Sequence, residues 1–142
     1  MISTIAVGTD GSPTAAEAVE VATGMALRFD AELVLLSASG AKEQGPPDRR
    51  GAPEEVQWAF NPAARTREIL ARTEEKVQRQ GVLCKTLVDE GDPADVLVRL
   101  AADCGADILV IGNKGMKRRV LGSVPNSVTH NAPCSVLVVK TT

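Results

Sequence analysis

The sequence predicts an α/β fold with a single open parallel sheet of five strands and helices on both faces. Short apolar runs alternate along the chain with stretches whose apolar residues recur at helical spacing. Each run is almost continuously apolar, which is typical of parallel strands that are covered on both faces. The 142 residues, of which 44% are hydrophobic, fit one domain that spans residues 1–142.

The first strand and the first helix follow from local signals near the N-terminus. STIAVG is a β-branched apolar run that ends in the polar turn TDGS. Ser12 is a favoured N-cap residue and Pro13 suits the first helical position, so a helix begins there. Its apolar residues recur at helical spacing from Ala15 to Phe29, which predicts an inner face that includes both.

The rest of the chain repeats the alternation of strand and helix. ELVLLSAS is the second strand, and residues 40–61 after it, rich in Gly and Pro, are predicted to form a mobile loop that contains Trp58. A polar helix then runs from Pro62 to Gln80 and is closed by Gly81. The later elements are the strand CKTLVDEG, a helix capped by Asp92, the strand ADILVIGNKG, a short helix starting at Ser123, and the strand CSVLVVKTT.

Composition and charge exclude several function classes. A formal net charge of −2 gives no sign of the basic face that nucleic-acid binding needs. No stretch approaches the ~20 apolar residues of a membrane span, and the apolar start of the chain is too short for a signal peptide. We therefore expect a cytoplasmic protein that binds neither nucleic acid nor membrane.

The sequence also argues against a metal site. Cys84, Cys104 and Cys134 are widely spaced without a C-x-x-C pair, and we expect them to be reduced thiols that fill the core. His130 is the lone histidine and lacks a second ligand at a useful spacing. Three acidic residues cluster after the third strand, but Asp92 among them is better explained as a helix cap.

Two polar turns mark a candidate site. GTDGS follows the first strand and GNKG follows the fourth. In open α/β sheets, ligands bind outside the carboxyl ends of the strands where the strand order reverses. If these two strands are neighbours, Asp10 and the glycine loop face one crevice. Asp10 suits ribose hydroxyls or an adenine amino group as an acceptor, but Asp-Gly is also a favoured turn dipeptide, so a role as turn former stays open.

The glycine loop has the composition of a phosphate cradle. GNKGMKRRVLGSVPNS contains Gly112, Gly115 and Gly122, four cations and no acidic residue. Glycines let the backbone approach a phosphate closely, and the helix that starts at Ser123 offers free amides. The Ser123 hydroxyl either caps that helix or donates to a phosphate oxygen. Lys114 is the cation best placed to reach a phosphate; the alternative is that the cations form a solvated surface.

These motifs resemble the universal stress protein family along the whole chain, in VGTDGS, ADILVIGNKG and LGSVPNSVTHNAPCSVLVV. The resemblance implies the strand order 3-2-1-4-5, which makes the first and fourth strands neighbours. It implies a homodimer through the last strand, from Val136 to Lys140. It also implies that Asp10 and the backbone at Thr9 and Ala38 hold adenine and ribose. The residues implied for ribose and phosphates are Gly112, Gly115, Gly122, Ser123 and Val124.

The glycine loop departs from the family pattern in its length. Nucleotide-binding members are similar in having nine residues between the second and third glycines, whereas this chain has six, MKRRVL, between Gly115 and Gly122. A shorter loop leaves less room for a triphosphate, or it brings the cations nearer the phosphates. The sequence leaves both consequences open.

The sequence therefore predicts an adenine-nucleotide-binding stress-response regulatory protein with an unidentified regulatory protein partner. The expected ligand is ATP or cyclic AMP, with Mg²⁺ as an optional companion. No residue is placed as a general base near the loop and no acidic pair could hold magnesium there, so we expect no enzyme, or at most a slow ATPase. The alternative is a dimeric protein-interaction module that has lost nucleotide binding. The chain lacks the Walker motif G-x-x-x-x-G-K-[ST].

Overall fold

The fold is an open parallel sheet flanked by helices. The computed structural model describes residues 1–39, 62–113 and 121–141, so the predicted mobile loop at 40–61 lies outside the described residues. The strands are β1 (Thr4–Gly8), β2 (Glu32–Ser39), β3 (Cys84–Glu90), β4 (Ile108–Asn113) and β5 (Ser135–Lys140). The helices are α1 (Pro13–Phe29), α2 (Pro62–Arg79), α3 (Pro93–Asp103) and α4 (Ser123–Asn131).

The strand order confirms the predicted fold class. All neighbouring strands pair in parallel, in the order β3-β2-β1-β4-β5. The central strand β1 therefore lies between β2 and β4, with Val7 opposite Leu35 on one side and Val110 on the other. The chain leaves β1 toward β2 on one side and continues later through β4 on the other, so the strand order reverses between β1 and β4.

Side chains alternate along the strands and build an apolar core on each face of the sheet. Ile5 and Val7 of β1 pack in the cluster that α1 and α2 cover, together with Leu70 of α2. Ala6 points the other way and packs in the cluster that α3 and α4 cover, together with Val128 of α4. Because both faces are covered, the strands read as nearly continuous apolar runs rather than as an alternating pattern.

Helix starts lie where the sequence predicts them because local side chains satisfy the first amides. Ser12 Oγ accepts a hydrogen bond from the Ala15 amide at 3.2 Å, and Asp92 Oδ2 accepts one from the Asp95 amide at 3.3 Å. A proline follows each cap and occupies the first helical position. Caps of this kind are each worth about 0.5–2 kcal/mol. Gly81, with φ +91°, lies just beyond α2 as predicted.

One expectation for the inner face of α1 is wrong. Ala15 is buried, but Phe29 is 47% exposed. The buried face of α1 ends at Ala26, and Phe29 is the last residue before the chain leaves the helix at Asp30 in the left-handed conformation. Helical spacing shows which side of a helix is apolar, but it does not show where the helix passes beyond the core that it covers.

Candidate functional site

A cavity of about 430 Å³ opens at the carboxyl ends of β1 and β4, within the size range of small-molecule sites. It lies where the strand order reverses, as sequence reasoning predicted. Seven of the predicted site residues line it: Thr9, Asp10, Ala38, Gly112, Gly122, Ser123 and Val124. The other two, Lys114 and Gly115, lie outside the described residues, as do the three remaining cations of the loop.

The turn after β1 forms one wall of the cavity. The Thr9 amide donates to the Leu36 carbonyl at 2.9 Å, which extends the pairing of β1 with β2 by one residue. Asp10 Oδ1 accepts from the Ser12 amide at 2.9 Å, and the Gly11 amide donates to Thr9 Oγ1 at 3.2 Å. Asp10 therefore does form the turn. Its side chain is exposed, and Oδ2 has no hydrogen-bond partner among the described residues.

The start of α4 forms the opposite wall. Gly122 is the N-cap residue, and its carbonyl accepts from the Asn126 amide at 2.9 Å. The Ser123 hydroxyl does not cap the helix, because no side chain makes a capping hydrogen bond there. In the described part of the chain, the Ser123 and Val124 amides have no acceptor, and Pro125 carries no amide. These two amides, with the positive end of the helix dipole, favour an anion.

Apolar side chains line the same cavity beside these two polar walls. They come from α1, β2, α3, β4 and α4, and the members are Ala15, Ala38, Pro93, Leu97, Ile111, Val124 and Pro125. A flat apolar ring can lie against such a surface while polar groups at its edge reach the backbone. The sequence analysis predicted Ala38 and Val124 as site residues but not Pro93 and Leu97 of α3. Nothing in the sequence near Pro93 or Leu97 indicates that α3 packs on the end of β1.

Two glycines lie in close packing around the cavity. A Cβ atom on Gly112 would lie 3.2 Å from the Thr14 carbonyl oxygen, where the start of α1 passes over β4. A Cβ atom on Gly8 would lie 3.0 Å from Leu97 Cδ1, where α3 packs on the end of β1. Gly112 thus has a packing role in addition to the ligand role that the sequence suggested, and Gly8 was not predicted.

Asp10 is the one ionisable side chain among the described residues that line the cavity. The acidic residues after β3 are engaged elsewhere: Asp89 Oδ2 accepts from Arg99 at 2.6 Å, and Asp92 caps α3. Over residues 1–39, 62–113 and 121–141, no group of three or more His, Cys, Asp or Glu side chains is arranged to hold a metal ion. None of the helices in these ranges is long and apolar enough to cross a membrane.

Known proteins with similar sequences share one family. The model of the universal stress protein family matches residues 1–140. Universal stress protein Rv1636 of Mycobacterium tuberculosis is 36% identical over 147 residues, covering 98% of this chain and 97% of that protein. Universal stress protein MJ0531 of Methanocaldococcus jannaschii is 33% identical over 142 residues, covering 96% of this chain and 81% of that protein.

Solved structures agree with these sequence relationships. A crystal structure of a universal stress protein in complex with cyclic AMP is 29% identical, with a TM-score of 0.74, and covers 99% of this chain and 98% of that one. The motifs at residues 7–12 and 106–115 indicate one family. The strand order and the match of the family model to residues 1–140 indicate the same family. The chain belongs to the universal stress protein family.

Proposed function

We propose that this protein binds an adenine nucleotide, ATP or cyclic AMP, in the cavity between the turn after β1 and the start of α4. The observation that carries the proposal is that two polar walls and an apolar surface line one cavity. The Asp10 carboxylate forms one wall, and the Ser123 and Val124 amides form the other. A nucleotide carries the three matching kinds of group: a flat and largely apolar base, a ribose whose hydroxyls donate hydrogen bonds, and an anionic phosphate.

Each wall has a separate task in this proposal. Asp10 Oδ1 is held by the Ser12 amide, which leaves Oδ2 to accept from a ribose hydroxyl. The amides of Ser123 and Val124 donate to phosphate oxygens, and the Ser123 hydroxyl, which does not cap the helix, adds a third donor. Three or four charge-assisted hydrogen bonds at ~1.5–3 kcal/mol each, together with a few kcal/mol from burial of the adenine and offset by an association cost of ~4 kcal/mol or more, give a total of about 8 kcal/mol, which corresponds to micromolar binding.

Within this class, a ligand with few phosphates is favoured. The loop between Gly115 and Gly122 has six residues, three fewer than in the pattern of the family's nucleotide-binding members, and we take this shorter loop to favour a ligand with fewer phosphates. The solved relative that is 29% identical to this chain was crystallised with cyclic AMP. We therefore rank cyclic AMP above ATP. Mg²⁺ would be needed only as a companion of ATP.

The proposed role is regulatory rather than catalytic. Proton transfer needs a positioned acid or base, and Asp10 is the one ionisable group in the described lining of the cavity. Its proposed partner, a ribose hydroxyl, is not a reacting group in phosphate hydrolysis. We propose a cytoplasmic stress-response protein whose interaction with a protein partner depends on the bound nucleotide. The alternative is an interaction module with a vacant cavity.

Calorimetric titration with cyclic AMP, ATP and adenosine tests the proposal. Asp10→Ala removes both functions of the side chain, whereas Asp10→Asn keeps an acceptor for the Ser12 amide and removes the charge. We expect a micromolar Kd for the wild type and a roughly tenfold or greater rise for both variants, as for the loss of one charge-assisted hydrogen bond. Asp103→Ala, at the exposed end of α3, is the matched control and should bind as the wild type does.

The two Asp10 variants separate the open roles. If Asp10→Asn binds normally while Asp10→Ala does not, Asp10 acts only as a turn former. If no nucleotide binds to the wild type, the cavity is vacant and the interaction-module alternative replaces the proposal.

We also propose a homodimer through β5. This strand lies at the edge of the sheet, so one side of its backbone faces away from β4, and unpaired edges pair readily with another chain. Leu137 of β5 is 37% exposed. Leu137→Lys should lower the dimer fraction in native mass spectrometry, whereas Leu83→Lys, at the 70% exposed residue before β3, should leave it unchanged. A monomeric wild type at micromolar concentration would contradict the proposal.

A further inference from the structure

Asn113, at the end of β4, makes two hydrogen bonds that hold the opposite wall of the cavity. The residue is fully buried, with 0% of its surface exposed. Its side-chain Oδ1 accepts from the Gly122 amide at 2.9 Å, and its backbone carbonyl accepts from Thr141 Oγ1 at 2.7 Å. Thr141 is itself 2% exposed and lies just after β5, 28 residues further along the chain.

The first bond fixes the position at which α4 begins. Asn113 and Gly122 stand at the two ends of the glycine loop, nine positions apart, and the bond joins them directly. Gly122 is the N-cap of α4, so its orientation sets the direction of the Ser123 and Val124 amides. Hydrogen bonds weaken steeply as the donor angle departs from linear. A small rotation of this N-cap would therefore reduce the strength of every bond from these amides to an anion.

The second bond supports the first from outside the cavity. Asn113 lines the cavity, but Thr141 does not. The Thr141 hydroxyl holds the main chain of Asn113. The Thr141 Cγ2 methyl lies beside Gly112, where an added Cβ atom would be 3.6 Å from it. Loss of this buried hydrogen bond would weaken the hold on the main chain of Asn113. Thr141 therefore adds to the strand pairing of Asn113 with Lys140 in fixing the position of Asn113, without lining the cavity itself.

We propose that Asn113 and Thr141 are positioning residues that set the affinity of the site for the phosphate of its ligand. The hydroxyl of Thr141 orients Asn113, Asn113 orients Gly122, and Gly122 aims the amides of Ser123 and Val124. This inference rests on the proposed nucleotide binding. It adds Thr141, which does not line the cavity, to the residues that determine the affinity for phosphate. It places part of the phosphate recognition at the end of the chain, beside the β5 edge.

Thr141→Val tests the inference because valine keeps the shape and removes the hydroxyl. Calorimetry measures Kd for cyclic AMP and for adenosine, which shares the base and ribose but has no phosphate. We expect the Kd of cyclic AMP to rise roughly tenfold, the equivalent of one weakened charge-assisted bond, and the Kd of adenosine to change little. Thr141→Ser, which keeps the hydroxyl, should restore the wild-type ratio of the two Kd values.

A merely structural role for Thr141 gives a different result. It would lower the melting temperature and leave the ratio of the two Kd values unchanged, which would overturn the inference. Thr86→Val is the matched control. The Thr86 hydroxyl also donates a hydrogen bond, to Glu74 Oε1 at 3.2 Å, but Thr86 does not line the cavity. If valine prevents folding, Thr141→Ala serves as the second variant.

A second readout needs no ligand. Hydrogen exchange of the Gly122 amide in the unliganded protein should accelerate in Thr141→Val more than that of amides in the middle of α1. Equal exchange in wild type and variant would contradict the relay from Thr141 to Gly122. Failure of the wild type to bind cyclic AMP and adenosine would instead refute the proposed function and, with it, the effect on affinity.

Discussion

Gly11 lies against Ile69 so closely that a Cβ atom on Gly11 would be 2.7 Å from Ile69 Cγ2. Gly11 also has φ +82°, in the left-handed region that favours glycine. It belongs to the turn that carries Asp10, and Ile69 belongs to α2. The helix that precedes β3 therefore packs directly on the turn that forms one wall of the cavity.

Gly11→Ala should destabilise the protein by about 2–5 kcal/mol, which combines the left-handed backbone cost of ~1–2 kcal/mol with an overpacking cost of ~1–3 kcal/mol. The clash is not easily relieved, because Cγ2 of a β-branched side chain cannot swing away freely. Urea denaturation of the wild type and the variant measures the difference in the free energy of unfolding.

Two further variants test the cause of that loss. Ile69→Ala removes the clashing atom, so Gly11→Ala combined with Ile69→Ala should cost less than the sum of the two single changes. Gly24→Ala is the control, because a Cβ atom on Gly24 in α1 meets nothing within 4 Å. It should be neutral or stabilising by up to about 1 kcal/mol. Strict additivity at Gly11 and Ile69 would contradict the packing explanation.

Asp107 should contribute to acid sensitivity. Its Oδ2 accepts from the Ser3 amide at 2.8 Å and the Thr4 amide at 3.0 Å, which joins the start of β1 to the start of β4. These bonds favour the carboxylate and hold its pKa below the ordinary value of 3.8. A group with a lowered pKa in the folded state adds stability above its unfolded pKa and loses it as pH falls through the folded pKa.

The prediction compares how the free energy of unfolding of the wild type and of Asp107→Asn depends on pH. On going from about pH 6 to about pH 2, below the ordinary range of carboxyl pKa values, the wild type should lose more free energy of unfolding than Asp107→Asn, whose amide does not titrate. Asp103→Asn, at an exposed aspartate of α3, should follow the wild-type curve. Parallel curves for wild type and Asp107→Asn would contradict the role of these two bonds.

The three cysteines should be poorly reactive thiols. All three are free, as the sequence predicted, and each packs against one of the two apolar clusters. Burial, with smaller contributions from Glu74 and Glu32, raises the pKa of the Cys84 thiol to about 12. Burial is also the main cause that raises the pKa of Cys104 and Cys134.

Alkylation with iodoacetamide near pH 8, about the pKa of an unperturbed thiol, measures this property, because the thiolate is the reacting form. Peptide mass spectrometry of the folded protein should find all three residues modified slowly and Cys84 slowest. The same reaction in urea is the control and should make the three rates similar. A fast reaction at Cys84 in the folded protein would show that the thiol is not held neutral in the core.

Local signals account for much of the fold and for part of the site. The caps at Ser12 and Asp92 and the apolar strand runs are read from a few neighbouring residues, and the structure confirms them. Asp10 and Gly122 were also recognisable, because each stands at a strand end or a helix start within a short motif. These features depend on backbone conformations that nearby residues determine.

Features that depend on tertiary contacts were beyond such reasoning. Pro93 and Leu97 enter the cavity only because α3 packs across β2 and β1. Asn113 stands between two glycines of the motif, but nothing in the sequence pairs its carbonyl with Thr141 at the end of the chain. Phe29 fits the helical pattern of α1 and yet lies past the core. To predict each of these features one must know how far apart the helices and strands lie in the fold. The spacing of apolar residues along the sequence does not give that distance.

The most direct test of nucleotide binding between the two walls is an NMR titration of the ¹⁵N-labelled protein with cyclic AMP. Binding as proposed should shift the amides of residues 9–12 and of residues 122–124, because these two segments form the opposite walls of the cavity. The amides of Thr4 and Ile108, at the starts of β1 and β4 and so at the opposite edge of the sheet, should remain unchanged. Absence of shifts at saturating ligand, or shifts confined to residues away from both walls, would contradict the proposal.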